Sequence, residues 1–196
     1  MKIAIDIDDT LTTVDRMGCA TEYLKKAGLK FNVVNPAAHA LFEIYDWKKE
    51  DVTRFFEAGG ARTFLDAPVK RGAKETLEKW RAAGHEITIL TSRIPEWFPE
   101  PEALSRMQLD KNKIPYDNLV ANEWHKGEYC KEHGMDILID DNFEFCRKAQ
   151  ELGVKAILFV DQSNLDHAKE IAYAGSSWAH IASAVEYILN PPRERD

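Results

Sequence analysis

The chain has 196 residues, 44% hydrophobic and 30% charged, which is enough for one sizeable core or a core with a small appended domain. Its 33 acidic residues outnumber the 26 basic ones, and the formal charge of -7 argues against nucleic acid or an anionic membrane as the main partner. The three cysteines, Cys19, Cys130 and Cys146, have no CxxC spacing, so we expect reduced thiols and a cytoplasmic location. No run approaches the roughly 18 apolar residues of a membrane span, and Asp6 interrupts any signal-peptide pattern.

The first twelve residues carry the most informative pattern. The apolar run from Ile3 to Ile7 predicts a buried strand. Three carboxylates and two hydroxyls lie in or just after it: Asp6, Asp8, Asp9, Thr10 and Thr12. Carboxylates crowded at a strand end repel one another and lose hydration, and a bound cation is the simplest remedy. Oxygen ligands without clustered Cys or His favour Mg2+ over zinc.

The segment from 14 to 66 contains no convincing strand and is predicted to form a helical cap inserted after the first strand. Two of its helices are expected near Ala20–Lys26 and Asp51–Glu57. The segment is rich in aromatic residues that either stack on a base or form the cap's own core: Phe42, Tyr45, Trp47, Phe55 and Phe56. Trp97 and Trp124, outside the segment, are expected to serve as packing or loop anchors.

From Lys70 onward strands and helices alternate. The predicted helices are Gly72–Ala83, Glu102–Lys111, Gly127–His133, Phe143–Leu152, Leu165–Ala174 and Ser177–Leu189. The predicted strands between them are Glu86–Leu90, Asn118–Ala121, Asp136–Ile139 and Lys155–Val160. This alternation predicts an α/β fold with a Rossmann-like, doubly wound parallel sheet. The core domain then comprises 1–13 and 67–190, the cap 14–66, and a flexible tail 191–196.

Ligands of such sheets bind beyond the carboxyl ends of the strands. Thr91 and Ser92 follow the second strand, where their hydroxyls either donate to a phosphoryl oxygen or cap a turn. Arg93 either touches phosphate or pairs with an acid. Lys126, or its rival Lys131, is placed to neutralise charge near the third strand, although a solvated helix-start lysine is the alternative.

Asp140 and Asp141 follow the apolar Ile137-Leu138-Ile139. Like Asp6, they are acidic residues at the end of a predicted buried strand. They either contribute to the cation site or cap the next helix, a role that Asn142 could also fill.

The Asp-x-Asp-x-Thr pattern after a short N-terminal strand resembles motif one of the haloacid dehalogenase-like (HAD) phosphatases. Within that superfamily the chain is most similar to the 5'(3')-deoxyribonucleotidase-like branch, which includes bacterial proteins called nucleotidases. The similar features are the Ile-Asp-Ile-Asp-Asp-Thr start, the aromatic cap, which corresponds to the C1 type, Leu-Thr-Ser-Arg after strand two, and Ile-Asp-Asp-Asn.

The resemblance implies roles for these residues. Asp6 is the nucleophile that forms an aspartyl-phosphate, and Asp8 is the general acid/base. Phosphate is bound by Thr91, Ser92 and Lys126. Mg2+ is held by Asp6, Asp140 and the backbone carbonyl of Asp8. Asp141 and Thr10 support these ligands.

The resulting hypothesis is a Mg2+-dependent phosphate monoester hydrolase, 5'-nucleotidase-like, acting on a nucleoside monophosphate or similar small phosphorylated substrate. The first alternative is a phosphatase for sugar phosphates or other small metabolites. Two further alternatives lack turnover: a receiver-like module and a regulatory binding protein. A receiver should carry its phosphorylated aspartate on a middle strand of the chain and has no cap, which argues against that alternative.

Overall fold

The computed structural model describes residues 1–38 and 40–191; residues 192–196 of the predicted tail lie outside that part. Its centre is a sheet of six parallel strands in the order β3-β2-β1-β4-β5-β6. The strands are β1 Lys2–Ile5, β2 Glu86–Leu90, β3 Asn118–Val120, β4 Ile137–Asp140, β5 Lys155–Phe159 and β6 Tyr173–Gly175. The predicted Rossmann-like parallel α/β fold is therefore confirmed.

Helices lie on both faces of this sheet and in the segment between β1 and β2. They are α1 Arg16–Lys26, α2 Leu41–Tyr45, α3 Lys49–Phe55, α4 Ala61–Leu65, α5 Ala73–Ala82, α6 Pro101–Lys111, α7 Lys126–Glu132, α8 Phe143–Glu151 and α9 Trp178–Leu189. Successive side chains of a strand point to opposite faces. Ile3 and Ile5 of β1 accordingly pack in one cluster with Leu77 of α5, whereas Ala4 packs in another with Cys146 of α8. Burial on both faces explains the continuous apolar runs of the strands.

The region after β5 differs from the prediction. A helix over Leu165–Ala174 was expected, but a 3-10 helix spans Leu165–Glu170 and β6 follows it as an edge strand, with Gly175 opposite Phe159. A β-carbon at Gly175 would lie 2.7 Å from the β-carbon of His180, so close packing on α9 requires glycine there. A strand of three residues with one alanine and one glycine carries too little periodic signal to be recognised.

The cap segment, residues 14–66, contains α1 to α4 and a π turn at Phe56–Gly60. Helices α1 and α3 overlap the two predicted ones, whereas α2 and α4 were not predicted. The segment joins the sheet through two antiparallel connections, in which Thr12 pairs with Val69 and the Thr13 amide donates to the Pro68 carbonyl at 2.9 Å. Its treatment as a separate cap domain stays a prediction. Within the described ranges, no helix is long and apolar enough to cross a membrane.

Candidate active site

The carboxyl edge of the sheet brings together groups that lie far apart in the chain. Because β1 and β4 are parallel neighbours, Asp6 and Asp140 emerge side by side. Strand β1 ends at Ile5, two residues earlier than predicted, and the chain turns at Asp9, whose φ is 63°. Lys126 reaches the same place from the start of α7.

Lys126 lies between two carboxylates. Its Nζ is 2.6 Å from Asp6 Oδ1 and 2.6 Å from Asp140 Oδ2, and the lysine side chain is 1% exposed. Although burial opposes the charged form, the Asp140 and Asp6 carboxylates raise the pKa of Lys126 above its usual value. Lys131, the rival candidate, is exposed on the far side of α7 from these contacts. The structure therefore brings Lys126, and not Lys131, to the acids.

Three carboxylates form the acidic cluster beside Lys126. One oxygen from each of Asp6, Asp140 and Asp141 lies within 4.8 Å of the others, and all three residues are buried. Burial raises the pKa of Asp6 to about 7, with Asp140 adding to the effect and Lys126 opposing it. Burial also raises the pKa of Asp141 well above its usual range. Three crowded, buried carboxylates offer an all-oxygen donor set of the kind that fits a hard divalent cation.

Supporting contacts fix this cluster. The Thr10 hydroxyl donates to Asp141 Oδ1 at 3.0 Å, and the Asn142 amide donates to Asp140 Oδ1 at 2.8 Å. Asn142, rather than the acidic pair, caps α8, since its side chain accepts from the Glu144 and Phe145 amides. The capping alternative for Asp140 and Asp141 is therefore wrong.

Asp8 is held by a different partner. Arg93 Nε donates to Asp8 Oδ2 at 2.9 Å and Nη2 donates to Asp8 Oδ1 at 2.7 Å, a bidentate pair. Although burial alone would raise it, the pKa of Asp8 is held below its usual value by the Arg93 guanidinium. Of the two alternatives for Arg93, the structure shows pairing with an acid.

The two hydroxyl residues after β2 have different positions. Thr91 is buried and its backbone continues the sheet, with its amide donating to the Val120 carbonyl at 3.0 Å. Ser92 is half-buried and lines the cavity above Asp6. The side chain of Ser92 is therefore the one presented to a ligand there.

A cavity of about 280 Å3 lies above the acids. Asp6, Asp8, Lys126 and Asp140 line its base. Its upper wall is aromatic, and the rings come from the cap segment, from the loops after β2 and β3, and from α8: Phe42, Phe56, Phe64, Trp97, Phe98, Trp124 and Phe145. A larger but shallow groove beside α6 contains none of the four charged residues, so the cavity above Asp6 is the candidate site.

The aromatic residues divide between the cavity and the core of the cap segment. Trp97 and Trp124 were expected to serve as packing or loop anchors; Trp97 does pack on Phe56, and both residues also line the cavity, which was not expected. Tyr45, Trp47 and Phe55 contact one another inside the cap segment and do not line it. The positions of Trp97 and Trp124 in loops after β2 and β3 are the signal that could have identified them.

Arg16 is a cavity residue that sequence reasoning missed. It lies at the start of α1, forms an ion pair with Asp9, and places its guanidinium 5.2 Å from the Phe64 ring centroid. A lone arginine in a helical segment gives no signal of this kind, because only the fold shows that α1 begins above the carboxyl edge.

No protein-family model matches the sequence, and no curated protein matches it. Solved structures do match. A predicted phosphatase from Clostridium acetobutylicum is 16% identical with a TM-score of 0.67, covering 94% of this chain and 97% of its own. A HAD family hydrolase from Deinococcus radiodurans, with bound phosphate and sodium, is 15% identical with a TM-score of 0.65 and 96% coverage of both chains. A predicted phosphoglycolate phosphatase from Haemophilus somnus is 13% identical with a TM-score of 0.64, covering 93% and 96%. The chain therefore has the fold of HAD-superfamily phosphatases and hydrolases.

Proposed function

We propose that the protein is a Mg2+-dependent phosphate monoester hydrolase that acts through an aspartyl-phosphate on Asp6. The observation that carries the proposal is the placement of Asp6, Lys126 and Asp140 within direct contact at the base of a cavity, with Asp8 two residues further on. The shared fold of HAD phosphatases supports the same chemistry.

In the first step a carboxylate oxygen of Asp6 attacks phosphorus while the bond to the leaving oxygen breaks, and Asp8 gives its proton to that oxygen. In the second step water attacks the aspartyl-phosphate, Asp8 accepts the proton of the water, and the Asp6 carboxylate is regenerated. The ionised form that Arg93 favours suits the second step. A negatively charged phosphate beside Asp8 favours the protonated form that the first step requires.

The surrounding residues neutralise charge. In this proposal Lys126 and Ser92, which line the cavity, bind the phosphoryl oxygens, and Thr91, which is buried and does not line it, contributes only from beneath. The buried Lys126 ammonium loses little of its effect to solvent. Asp6, Asp140 and the backbone carbonyl of Asp8 are the groups that would hold Mg2+, with Asp141 and Thr10 supporting them. When bound, Mg2+ shields the negative charges of nucleophile and phosphate from one another.

The aromatic wall favours a nucleoside monophosphate as substrate. Phe42 and Trp124, each about half exposed, flank the cavity from the cap segment and from the loop after β3. Trp97 stacks on Phe56 with ring centroids 5.2 Å apart, and its buried Nε1 has no hydrogen-bond partner within 1–38 and 40–191. A planar nucleobase could stack against such rings. Free thiols at Cys130 and Cys146 support a cytoplasmic location for this chemistry.

A phosphatase for sugar phosphates or other small metabolites is the second candidate. It is favoured by structural neighbours named as a predicted phosphoglycolate phosphatase and a putative beta-phosphoglucomutase. The apolar wall offers fewer partners for sugar hydroxyls than for a base, and buried hydroxyls without partners weaken binding. We therefore place this candidate second.

The test is phosphate release with Mg2+ from a panel of 5'- and 3'-nucleoside monophosphates and sugar phosphates. We expect release from the nucleotides and none with Asp6→Asn, which keeps the shape of the side chain and removes the nucleophile. Release from sugar phosphates alone would show that the proposed substrate class is wrong, while the proposed hydrolysis would stand. No release from any ester, or equal release by Asp6→Asn, would refute the hydrolase.

A further inference from the structure

Arg93 is more completely fixed than a residue that only balances charge. It is 3% exposed and donates four hydrogen bonds: two to Asp8, one from Nη1 to Ser105 Oγ at 3.1 Å, and one from Nη2 to Gln108 Oε1 at 2.7 Å. The guanidinium carbon lies 5.2 Å from the Phe98 ring centroid. These contacts leave the Arg93 side chain essentially one arrangement.

The bidentate contact determines the orientation of Asp8 as well as its charge. A planar guanidinium that donates from two nitrogens to both oxygens of a carboxylate aligns the two planes. Asp8 lies three residues beyond the end of β1, lines the cavity and is 15% exposed in its side chain. Arg93 therefore sets the direction in which the carboxylate faces the cavity.

Gln108 connects this pair to the cap segment. Its Oε1 accepts from Arg93, while its Nε2 donates to the Phe64 carbonyl of α4 at 2.7 Å. Gln108 is 2% exposed, so both bonds are shielded from water. The side-chain amide of Gln108 thus connects Arg93, which holds Asp8, to the backbone of the cap segment.

We propose that Arg93 is a positioning residue that orients Asp8 for proton transfer, and that Gln108 makes this orientation depend on where the cap segment lies. The inference rests on the proposed function, because it concerns the acid/base of that reaction. It assigns Arg93 no direct contact with the phosphate. The consequence is that catalytic proton transfer and coverage of the cavity are linked through a single buried side chain.

The two steps respond differently to a misplaced Asp8. p-Nitrophenyl phosphate has a leaving group that departs without protonation, so the Asp6–phosphorus bond can form while the phenolate leaves with its electron pair. Release of the phosphoryl group still requires a base to accept the proton of water. A variant with a misdirected Asp8 therefore forms the aspartyl-phosphate and hydrolyses it slowly.

The experiment is rapid mixing of p-nitrophenyl phosphate and Mg2+ with wild type, with Arg93→Ala and with Arg106→Ala. The last variant is the control, because Arg106 is an exposed arginine on α6. For Arg93→Ala we expect a burst of p-nitrophenol, trapped phosphoenzyme after acid quenching, and steady turnover lower by about 10²-fold. Added guanidinium should restore part of the turnover. The inhibition constant of inorganic phosphate should stay at the wild-type value.

Wild-type turnover that is lost in Asp6→Asn is established first, because its absence refutes the proposed function and this inference with it. Full turnover by Arg93→Ala refutes only the positioning role. A lost burst with weaker inhibition by phosphate makes Arg93 a phosphate ligand and also overturns the role. If Arg93→Ala does not fold, Arg93→Lys gives the same test, since lysine keeps the charge but has only one nitrogen and cannot form the bidentate contact.

Gln108→Glu separates the two halves of the proposal. Glutamate keeps an acceptor for Arg93 but cannot donate to the Phe64 carbonyl, so we expect a lower kcat with the same slow second step. Gln108→Leu removes both bonds and should have the larger effect. A Gln108→Glu enzyme equal to wild type would refute the link to the cap segment.

Discussion

The base and the upper wall of the cavity are built on opposite physical principles. The base consists of charged groups fixed in direct contact, such as Lys126 between Asp6 and Asp140 at 2.6 Å from each. The wall consists of rings such as Phe42 and Trp124, which contact a ligand through area and shape. Removing a charged partner leaves another buried charge uncompensated, whereas removing a ring loses only contact area. The base is therefore expected to determine whether the reaction proceeds, and the wall to determine which ester is accepted.

Asp8→Asn tests the base most severely. Asparagine keeps the size of the side chain and can still accept a hydrogen bond from Arg93, but it cannot carry the transferred proton. We expect turnover to fall by about 10²–10⁴-fold, while Mg2+ still binds, because the predicted contact of residue 8 with the metal is through its backbone carbonyl. Steady-state rates and Mg2+ titration check this, and an unchanged rate would exclude Asp8 as the acid/base.

Lys126→Met tests the balance of charge in the base. It leaves Asp6 and Asp140 buried and facing one another without their shared cation. We expect the free energy of unfolding to fall by about 3–5 kcal/mol in metal-free buffer, and by less when Mg2+ is present. Lys131→Met, on the exposed face of α7, is the matched control and should change it by less than about 0.5 kcal/mol. Equal effects of the two substitutions in urea unfolding would contradict the contacts described.

The acids at the base of the cavity could be predicted from the sequence because their positions follow from the strands. Asp6 and Asp140 each come at the end of a buried strand, and parallel neighbouring strands deliver such residues to one edge. Lys126 opens α7 instead, and the sequence left the choice between it and Lys131 open. The pairing of Arg93 with Asp8 was one of two open alternatives, since nothing in Leu-Thr-Ser-Arg indicates where a long side chain points. The carboxylate of a short aspartate lies close to the backbone, so the strand fixes its position. The guanidinium of a long arginine can reach several places, so its partner is harder to predict.

The upper wall was predicted only in part. Phe42 and Phe56 were among five aromatic residues considered for it, but a ring that packs inside a helical segment and a ring that faces a cavity have the same sequence spacing. The π turn at Phe56–Gly60, with Gly59 at φ 97°, changes the direction of the chain between α3 and α4. The spacing of hydrophobic residues in the sequence does not predict such a change in direction. The short β6 was missed for a related reason, since three residues are too few for a pattern.

The pH dependence of stability gives a further measure of the base. Burial raises the pKa of Asp6 from 3.8 to about 7, so this group's contribution to stability is complete below about pH 4 and is lost as the pH rises through about 7. In metal-free buffer, wild type should lose up to about 4 kcal/mol relative to Asp6→Asn between about pH 4 and pH 8. Mg2+ should oppose the loss by favouring the ionised carboxylate. Parallel stability curves for the two proteins would show that burial of Asp6 has no such effect.

Phe42→Ala tests the wall, where we expect the smallest effect. Phe42 is 49% exposed, so its removal should leave the fold intact. Loss of a stacking ring is worth about 0.5–1.5 kcal/mol, which raises KM for a nucleoside monophosphate roughly two- to tenfold and leaves kcat unchanged. Phe31→Ala, an exposed ring of the cap segment that does not line the cavity, should leave both constants unchanged. If KM for nucleotides stays constant in Phe42→Ala, this ring does not contact the nucleobase of the substrate. A rise in KM confined to nucleotides, with sugar phosphates unaffected, would show that the aromatic wall selects the substrate.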